Sequence, residues 1–368
     1  MIYLDHNATT PVKPPVIDEM TRVMEIGGNP SSVHGKGRAA KTILENARQT
    51  IATQINCRPQ KIIFTGGGTE TNNIALKAAG FDHLILSITE HDSINGIEKN
   101  FTGTIDWLPV DQNGLIAPDI LETAVKQAPE KTLVSIMLAN NETGVIQDIA
   151  ALSSIAHKSG TMFHTDAIQA FGKIPVDFRA LGVDMLSLSA HKMGGPQGVG
   201  ALIALEKIDM PSITTGGGQE AGRRAGTENL AGIAGFAKAA ELVPENLSHM
   251  PRIKELRDQM EQRIKDHAPN VIFYGAGANR LPNTSTILMP GVSSETQVMA
   301  FDLAGICVSA GSACSSGKVK PSHVVTAMGA DTEQALSTLR VSLGWNSRAQ
   351  DVEAFIAAWI KFSDRKKQ

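Results

Sequence analysis

Cysteine is scarce in this sequence, and the few that occur form no recognisable pattern. Cys57, Cys307 and Cys314 are an odd-numbered set without a CxxC pair and without the His/Cys spacing of zinc sites. Such a set argues against a disulfide framework and against a structural metal. We therefore expect no metal ligands and a reducing compartment.

Long apolar runs and an excess of positive charge are also absent. No stretch approaches the roughly 20 apolar residues of a membrane-spanning helix. The first residues lack the basic and apolar regions of a secretory signal. The net charge of −3 creates no field that would attract nucleic acid or anionic lipid. These absences predict a cytoplasmic protein with no membrane partner and no nucleic-acid partner.

Short apolar runs of strand length alternate with helical segments along much of the chain. The runs lie at 61–65, 84–88, 133–138, 185–188 and 199–205. This alternation predicts an α/β fold with a largely parallel sheet. The 368 residues are enough for two or three domains. A change to charged helical sequence predicts a domain boundary near residue 250.

A glycine turn follows the first of these runs. Gly66, Gly67 and Gly68 separate the strand-like residues from a helical segment, and Thr69 comes next. Glycine lets a backbone approach a ligand closely, and the N–H groups at a helix N-terminus favour a phosphate. The turn is not a nucleotide P-loop, because no Gly-Lys-Ser/Thr follows it. A phosphate site and a plain tight turn capped by Thr69 both stay open at this point.

Two charged residues follow other apolar runs. Asp166 is either a helix N-cap or a carboxylate that pairs with a cationic ring nitrogen. Lys192 ends another run, with Ser189 and His191 beside it and glycines after it. Burial of an ammonium is costly and lowers its pKa, which frees the amine to attack a carbonyl. The flanking histidine and glycines disfavour the alternative of an exposed loop lysine.

Cys314 lies in a stretch of Ser, Ala and Gly, whereas Cys307 ends an apolar run and is expected in the core. An accessible thiol in such a stretch can react as its thiolate. Together, the glycine turn, Asp166 and Lys192 require one ligand with a phosphate, a basic ring nitrogen and an aldehyde. Pyridoxal 5′-phosphate has all three groups, so we predict it as the cofactor.

The sequence resembles the cysteine desulfurases of the NifS/IscS type, which are class V pyridoxal-phosphate enzymes of fold type I. The most specific segments are Gly68 to Glu70, Thr89 to His91, Asn140 to Gly144, Asp166 to Gln169, Ser189 to Lys192, Arg224 to Asn229 and Gly311 to Cys314. The resemblance covers essentially the whole chain. It implies a large cofactor-binding α/β domain over 15–249 with a mainly parallel sheet. It also implies a smaller α+β domain, formed by 1–14 and 250–368, that carries the catalytic cysteine.

The resemblance implies a role for each residue around the cofactor. Lys192 would carry the cofactor covalently, and Asp166 would pair with its ring nitrogen. Gln169 would hydrogen-bond its phenolic oxygen, and His91 would stack on the ring and help to move protons. The phosphate would be held by Gly68, Thr69, Ser189 and His191, together with Thr227 of the partner subunit in a homodimer.

The resemblance also implies a substrate and a reaction. Asn141 and Arg340 would bind the carboxylate of L-cysteine, a task that suits guanidinium geometry. The sulfur would move to Cys314 as a persulfide, leaving L-alanine. A sulfur-acceptor protein, such as an iron–sulfur scaffold, would then take it for iron–sulfur cluster assembly. Two alternatives stay open: another class V enzyme, namely an aminotransferase or a selenocysteine lyase, and a sulfur-carrier scaffold without turnover.

Overall fold

The computed structural model describes residues 1–77, 80–311 and 320–365. Its strands are β1 (Ile2–Tyr3), β2 (Ile62–Thr65), β3 (His83–Ser87), β4 (Thr104–Leu108), β5 (Thr132–Ser135), β6 (Met162–Asp166), β7 (Met185–Ser189), β8 (Gly200–Ala204), β9 (Thr284–Leu288), β10 (Ile306–Cys307), β11 (Ser309–Ala310) and β12 (Thr338–Ser342). Its helices are α1 (Pro14–Ile26), α2 (Gly35–Gln54), α3 (Gly68–Lys77), α4 (Asp92–Asn95), α5 (Pro118–Lys126), α6 (Ile149–Lys158), α7 (Phe178–Leu181), α8 (Leu230–Glu241), α9 (Val243–His267), α10 (Ser294–Leu303), α11 (His323–Ala327), α12 (Thr332–Leu336) and α13 (Ala349–Arg365).

The largest sheet of the described structure has seven strands in the order β2-β8-β7-β6-β5-β3-β4. From β7 to β4 every neighbouring pair is parallel, and β8 runs antiparallel between β7 and β2. The prediction of an α/β fold with a mainly parallel sheet is therefore confirmed. Edge strand β4 was missed because its apolar signal is weak: only Leu108 in it is buried.

Both faces of this sheet are covered by apolar side chains. In β2, Ile62 and Phe64 belong to one apolar cluster and Ile63 to another on the opposite face. The same alternation occurs in β5, where Val134 faces the first cluster and Leu133 the second. Because helices cover both faces, the strands are apolar throughout, which explains why the sequence shows continuous runs instead of alternation.

A further apolar cluster is formed by residues from both ends of the chain. Leu4 packs there with side chains from α9, α10, α13, β9 and β12. The N-terminal strand β1 pairs with β10 and not with the large sheet. Helix α9 passes through residue 250 without interruption, with Val243 in the cluster of the large sheet and Ile253 in the further cluster. The division into domains near residue 250 stays a prediction.

The described residues contain neither a membrane-spanning helix nor a metal cluster. No helix within these ranges combines the length and the hydropathy that crossing a membrane demands. Nor do three or more His, Cys, Asp or Glu side chains in this part of the chain lie together as ligands for one metal ion.

We expect the change Phe355→Ala to lower the free energy of unfolding by about 3–5 kcal/mol. Phe355 is fully buried, and its ring stacks on that of Phe301 with 5.0 Å between the centroids, so truncation leaves a cavity. Urea denaturation followed by circular dichroism measures the loss. Leu303→Ala is the control, because Leu303 is 88% exposed and its removal should cost less than about 0.5 kcal/mol. Equal losses in the two variants would contradict this assignment of the core.

Candidate active site

A cavity of about 260 Å³ lies at the edge of the large sheet where its parallel strands end. Parallel strands bring their carboxyl ends to a common edge, so residues distant in sequence meet there. The cavity is lined by Gly68, Thr69, His91, Ser93, Met137, Ala139, Asn141, Asp166, Ile168, Gln169, Ser189, His191 and Lys192. Every residue predicted to bind the cofactor, except Thr227, is among them.

The glycine turn after β2 brings the backbone against this cavity. Gly67 has a φ of 144°, a conformation that favours glycine. A Cβ atom on Gly68 would lie 2.5 Å from Cδ1 of Ile168 and 3.5 Å from Cβ of Ser189, so a side chain at this position would require Ile168 to move. The N-terminus of α3, at Gly68 and Thr69, therefore forms part of the wall and offers N–H groups to an anion. The buried Ser189 hydroxyl has no hydrogen-bond partner among the described residues and is available to the same anion.

Asp166 ends β6, and its carboxylate is held by neutral donors. Its Oδ2 accepts a hydrogen bond from Nδ2 of Asn72 at 2.7 Å, and its Oδ1 accepts one from the Ile168 amide at 2.8 Å. Burial raises the pKa of Asp166, while the hydrogen bonds from Asn72 and Ile168 and the charges of His91 and Lys192 oppose that rise. A cation placed in the cavity would favour the ionised carboxylate. The geometry therefore suits a basic ring nitrogen.

His91 is joined to Asp166 by a chain of hydrogen bonds. The Ser93 amide donates to Nδ1 of His91 at 3.0 Å, and the Ser93 hydroxyl lies 2.9 Å from the same nitrogen. Asn72 contacts that hydroxyl at 2.8 Å and Asp166 at 2.7 Å. Because Nδ1 accepts from the backbone, the proton of the neutral ring lies on Nε2. Burial lowers the pKa of His91, although the charge of Asp166 opposes the shift. His91 is therefore a neutral hydrogen-bond donor at the cavity wall.

Lys192 projects into the cavity from the turn after β7. Its Nζ donates to the backbone carbonyls of Asn7 at 2.6 Å and Ala8 at 2.8 Å. Burial, and then the charge of Arg340, lowers the pKa of Lys192 to about 8, while Asp5 and Asp166 act in the opposite direction. At pH 7 roughly a tenth of such an amine is uncharged, against less than about one in a thousand for an ordinary lysine. Lys192 therefore has the state needed for attack on an aldehyde.

Comparison with known proteins shows the family of this chain. Residues 2–355 match the family described as aminotransferase class-V. The chain belongs to the class-V aminotransferase family. It is 42% identical over 363 residues to the protein named cysteine desulfurase IscS of Dictyoglomus turgidum, covering 95% of this chain and 91% of that protein.

Solved structures show the same likeness. The NifS-like protein of Rickettsia africae matches with a TM-score of 0.93 and 40% identity, over 99% of each chain. A structure titled "SspA in complex with cysteine" matches with a TM-score of 0.80 and 29% identity, over 94% of this chain and 99% of that one. The predicted resemblance and the fold-type-I architecture are therefore confirmed.

Arg340 lies on β12, beside the cavity of this class-V protein and outside its lining. Its Nη1 donates to the carbonyl of Asn141 at 3.2 Å, and its Nη2 pairs with Oδ1 of Asp5 at 3.0 Å. The Nε of Arg340 is buried and has no partner in the described part of the chain. The guanidinium thus lies next to Asn141, and it is already paired with Asp5, a carboxylate that the sequence analysis did not consider. The role of both residues in substrate binding stays a prediction.

Thr227 and Cys307 do not line the cavity of this chain, and a third residue, Cys314, lies outside the described residues. Thr227 is exposed. Cys307, expected in the core, is half-buried in β10, where it pairs with Tyr3.

Sequence reasoning missed Asn72 and Asn7. Asn72 donates to the Asp166 carboxylate, and it is one of the buried polar residues of α3. The available signal was the position of Asn72, a polar residue one helical turn after Thr69 and therefore on the same face of the helix. Asn7 is buried, and its backbone oxygen accepts from both Lys192 and Gln169. No signal in the sequence indicated that a backbone carbonyl of the N-terminal segment would hold the lysine.

In the cofactor-free protein, the reactivity of the Lys192 amine toward an acylating reagent should rise with a midpoint near pH 8. Arg340→Gln should raise the midpoint because a nearby positive charge is lost. Asp166→Asn should lower it because a negative charge is lost. Pulse labelling at each pH, with mass spectrometry of the Lys192 peptide, measures the rate. Exposed Lys158 is the internal control and should react as an ordinary lysine. A midpoint for Lys192 equal to that of Lys158 would contradict the description of the site.

Proposed function

We propose that this protein is a cytoplasmic, homodimeric, pyridoxal-phosphate-dependent cysteine desulfurase. It converts L-cysteine to L-alanine and passes the sulfur through a persulfide on Cys314 to an acceptor protein for iron–sulfur cluster assembly. The observation that carries the proposal is the cavity that unites the amine of Lys192, the carboxylate of Asp166 and the N-terminus of α3. The names of its relatives support the same activity.

The residues of the cavity fit pyridoxal 5′-phosphate group by group. The N–H groups at Gly68 and Thr69 and the unpartnered Ser189 hydroxyl would bind the phosphate. Asp166 would pair with the ring nitrogen, and Lys192 would bond to the aldehyde carbon. When bound, pyridoxal 5′-phosphate supplies an electrophilic carbon and a ring that accepts electrons from the substrate.

Lys192 moves a proton in the proposed reaction, and His91 offers a hydrogen bond beside it. The carbonyls of Asn7 and Ala8 hold Nζ of Lys192 at the cavity, so the free amine would lie near the substrate. Its lowered pKa lets Nζ take the α-proton of L-cysteine as a general base. His91, with its proton on Nε2, donates a hydrogen bond from the cavity wall. Asp166 keeps a negative charge at the ring nitrogen, which favours the protonated ring.

The substrate carboxylate is bound at Arg340 and Asn141. Arg340 reaches the Asn141 carbonyl at 3.2 Å, so both residues contribute to one anion site at the side of the cavity. Asp5 shares the guanidinium and limits its rotation. A planar guanidinium held in this way favours an α-carboxylate with two oxygens.

Sulfur transfer is assigned to Cys314. Its thiolate attacks the sulfur of the bound substrate, so that an S–S bond forms and the Cβ–S bond breaks. The electron pair of the broken bond stays with the carbon fragment, which takes up a proton and leaves as L-alanine. The described residues on both sides, Gly311 and Ser322, lie against Glu142, the neighbour of Asn141 in sequence. These described residues therefore lie beside the proposed substrate site, which supports the assignment of the thiol.

The change Cys314→Ser should separate cofactor chemistry from sulfur transfer. The variant should stay yellow and change its spectrum on addition of L-cysteine, because proton removal uses Lys192 and not the thiol. It should lose persulfide formation and sulfide release, since serine is a poor nucleophile toward sulfur. Absorbance, sulfide assay and mass spectrometry measure the three properties.

Cys57→Ser and Cys307→Ser are the matched controls for this experiment. Both should keep full activity and lose at most about 1 kcal/mol of stability. Full desulfuration by Cys314→Ser would refute the assigned role of the thiol. A yellow wild-type protein that transfers amino groups to a keto acid and forms no persulfide would instead establish an aminotransferase.

A mixed dimer tests the role assigned to Thr227. One chain carries Lys192→Ala, and the other carries Thr227→Asp, which opposes a phosphate by charge. If Thr227 acts in the partner's cavity, both changes fall in one site and the other site is intact. The purified mixed dimer should then have about half the activity of a wild-type dimer. If Thr227 acts in its own chain, each site contains one change and no activity returns.

A further inference from the structure

Lys173 is a buried lysine whose hydrogen-bond partners are amides. It is only 6% exposed and lies on the turn between β6 and α7. In the described part of the chain its Nζ donates to Oε1 of Gln169 at 2.6 Å and to Oδ1 of Asn7 at 3.1 Å. Neither partner is charged. Because burial of an amine without a counter-ion is costly, simple packing is a poor explanation for this residue.

The contact with Lys173 orients the side-chain amide of Gln169. Its Oε1 faces the Lys173 amine, which donates to it. Its Nε2 donates to the backbone carbonyl of Asn7 at 2.9 Å, and a carbonyl can only accept. A flipped amide would place two oxygens against each other at Asn7 and an N–H against the Lys173 amine. The two contacts therefore select one orientation.

This orientation decides what Gln169 offers to the cavity. An amide nitrogen carries two hydrogens, and only one of them is used by Asn7. Gln169 lines the cavity, and its second N–H has no partner among the described residues. At that point the cavity therefore presents a donor and no acceptor.

We propose that Lys173 is a positioning residue that holds Gln169 with an N–H group directed at the bound ligand, so that only an oxygen able to accept a hydrogen bond fits there. The proposal rests on the proposed function, in which that oxygen is the phenolic oxygen of pyridoxal 5′-phosphate. A hydrogen bond from Gln169 stabilises the deprotonated form of this oxygen.

The titratable groups around Lys173 also affect pH-dependent measurements. They are His6, His191, Lys192 and Arg340. Removal of the Lys173 amine could act on the ligand through these charges as well as through Gln169. The experiment must therefore separate a through-charge effect from an effect that passes through the amide.

The test is a double-mutant cycle on the holoenzyme with Lys173→Met, Gln169→Leu and the double variant. We measure the pH midpoint of the visible absorbance of bound pyridoxal 5′-phosphate and its dissociation constant. Each single change should raise the midpoint by about half to one pH unit, because the deprotonated oxygen loses its donor. Each should also weaken cofactor binding by about fivefold. The double variant should match Gln169→Leu alone, since Lys173 acts only through Gln169.

Exposed Lys158→Met is the matched control and should change neither quantity. Lys173→Gln, which is too short to reach both oxygens, should repeat the upward shift and replaces Lys173→Met if that variant does not fold. If Lys173→Met shifts the pH midpoint as much in the Gln169→Leu background as in the wild type, Lys173 acts through its charge and the proposal is wrong. The proposal is also wrong if folded Lys173→Met has an unchanged midpoint. A wild-type protein that binds no pyridoxal 5′-phosphate refutes the proposed function, which is a separate outcome.

Discussion

Parallel pairing of β3, β5, β6 and β7 is the constraint on which the site depends. Parallel strands need crossover connections, and these return the chain so that every strand ends at the same edge. Residues that follow different strands are therefore brought to one cavity although they are far apart in sequence. Apolar side chains cover both faces of the sheet and exclude water from the protein beneath this edge. Charged side chains at the edge are therefore partly desolvated.

Desolvation shifts the pKa values of the two principal charged residues of the cavity in opposite directions. It lowers the pKa of Lys192 and raises that of Asp166. Within the described residues, neither of them is hydrogen-bonded to a charged partner: carbonyls hold Lys192, and an amide side chain and a backbone N–H hold Asp166. Both side chains are therefore available to a ligand that carries an aldehyde and a basic nitrogen. Arg340 differs, because Asp5 already pairs with it.

The N-terminal segment connects the cavity to the rest of the molecule. Leu4 belongs to the apolar cluster that α9 and α13 share. Three residues later, Asn7 accepts from Lys192 and Gln169 through its backbone oxygen and from Lys173 through its side chain. Thr10 donates its backbone N–H to the His191 carbonyl at 2.8 Å. Movement of this segment relative to the large sheet would therefore displace the reactive amine.

The sequence by itself determined most strands of the large sheet and the identity of the principal reactive groups. Buried strands are apolar on both faces, and a charged residue directly after such a run, as at Asp166 and Lys192, is conspicuous. Edge strand β4 was not predicted, because only Leu108 in it is buried and its apolar signal is weak.

Only the tertiary structure decided the partners of these groups. Asn72 and Asp166 are 94 positions apart, and Lys173 and Asn7 are 166 apart. Nothing local in the chain encodes such contacts, since they arise from strand order and from the return of the N-terminal segment. Ordinary polar residues such as Asn7, Asn72 and Lys173 gain a role only from the atoms that folding places beside them. The state of the Lys192 amine follows from the same cause, because burial is a property of the folded chain.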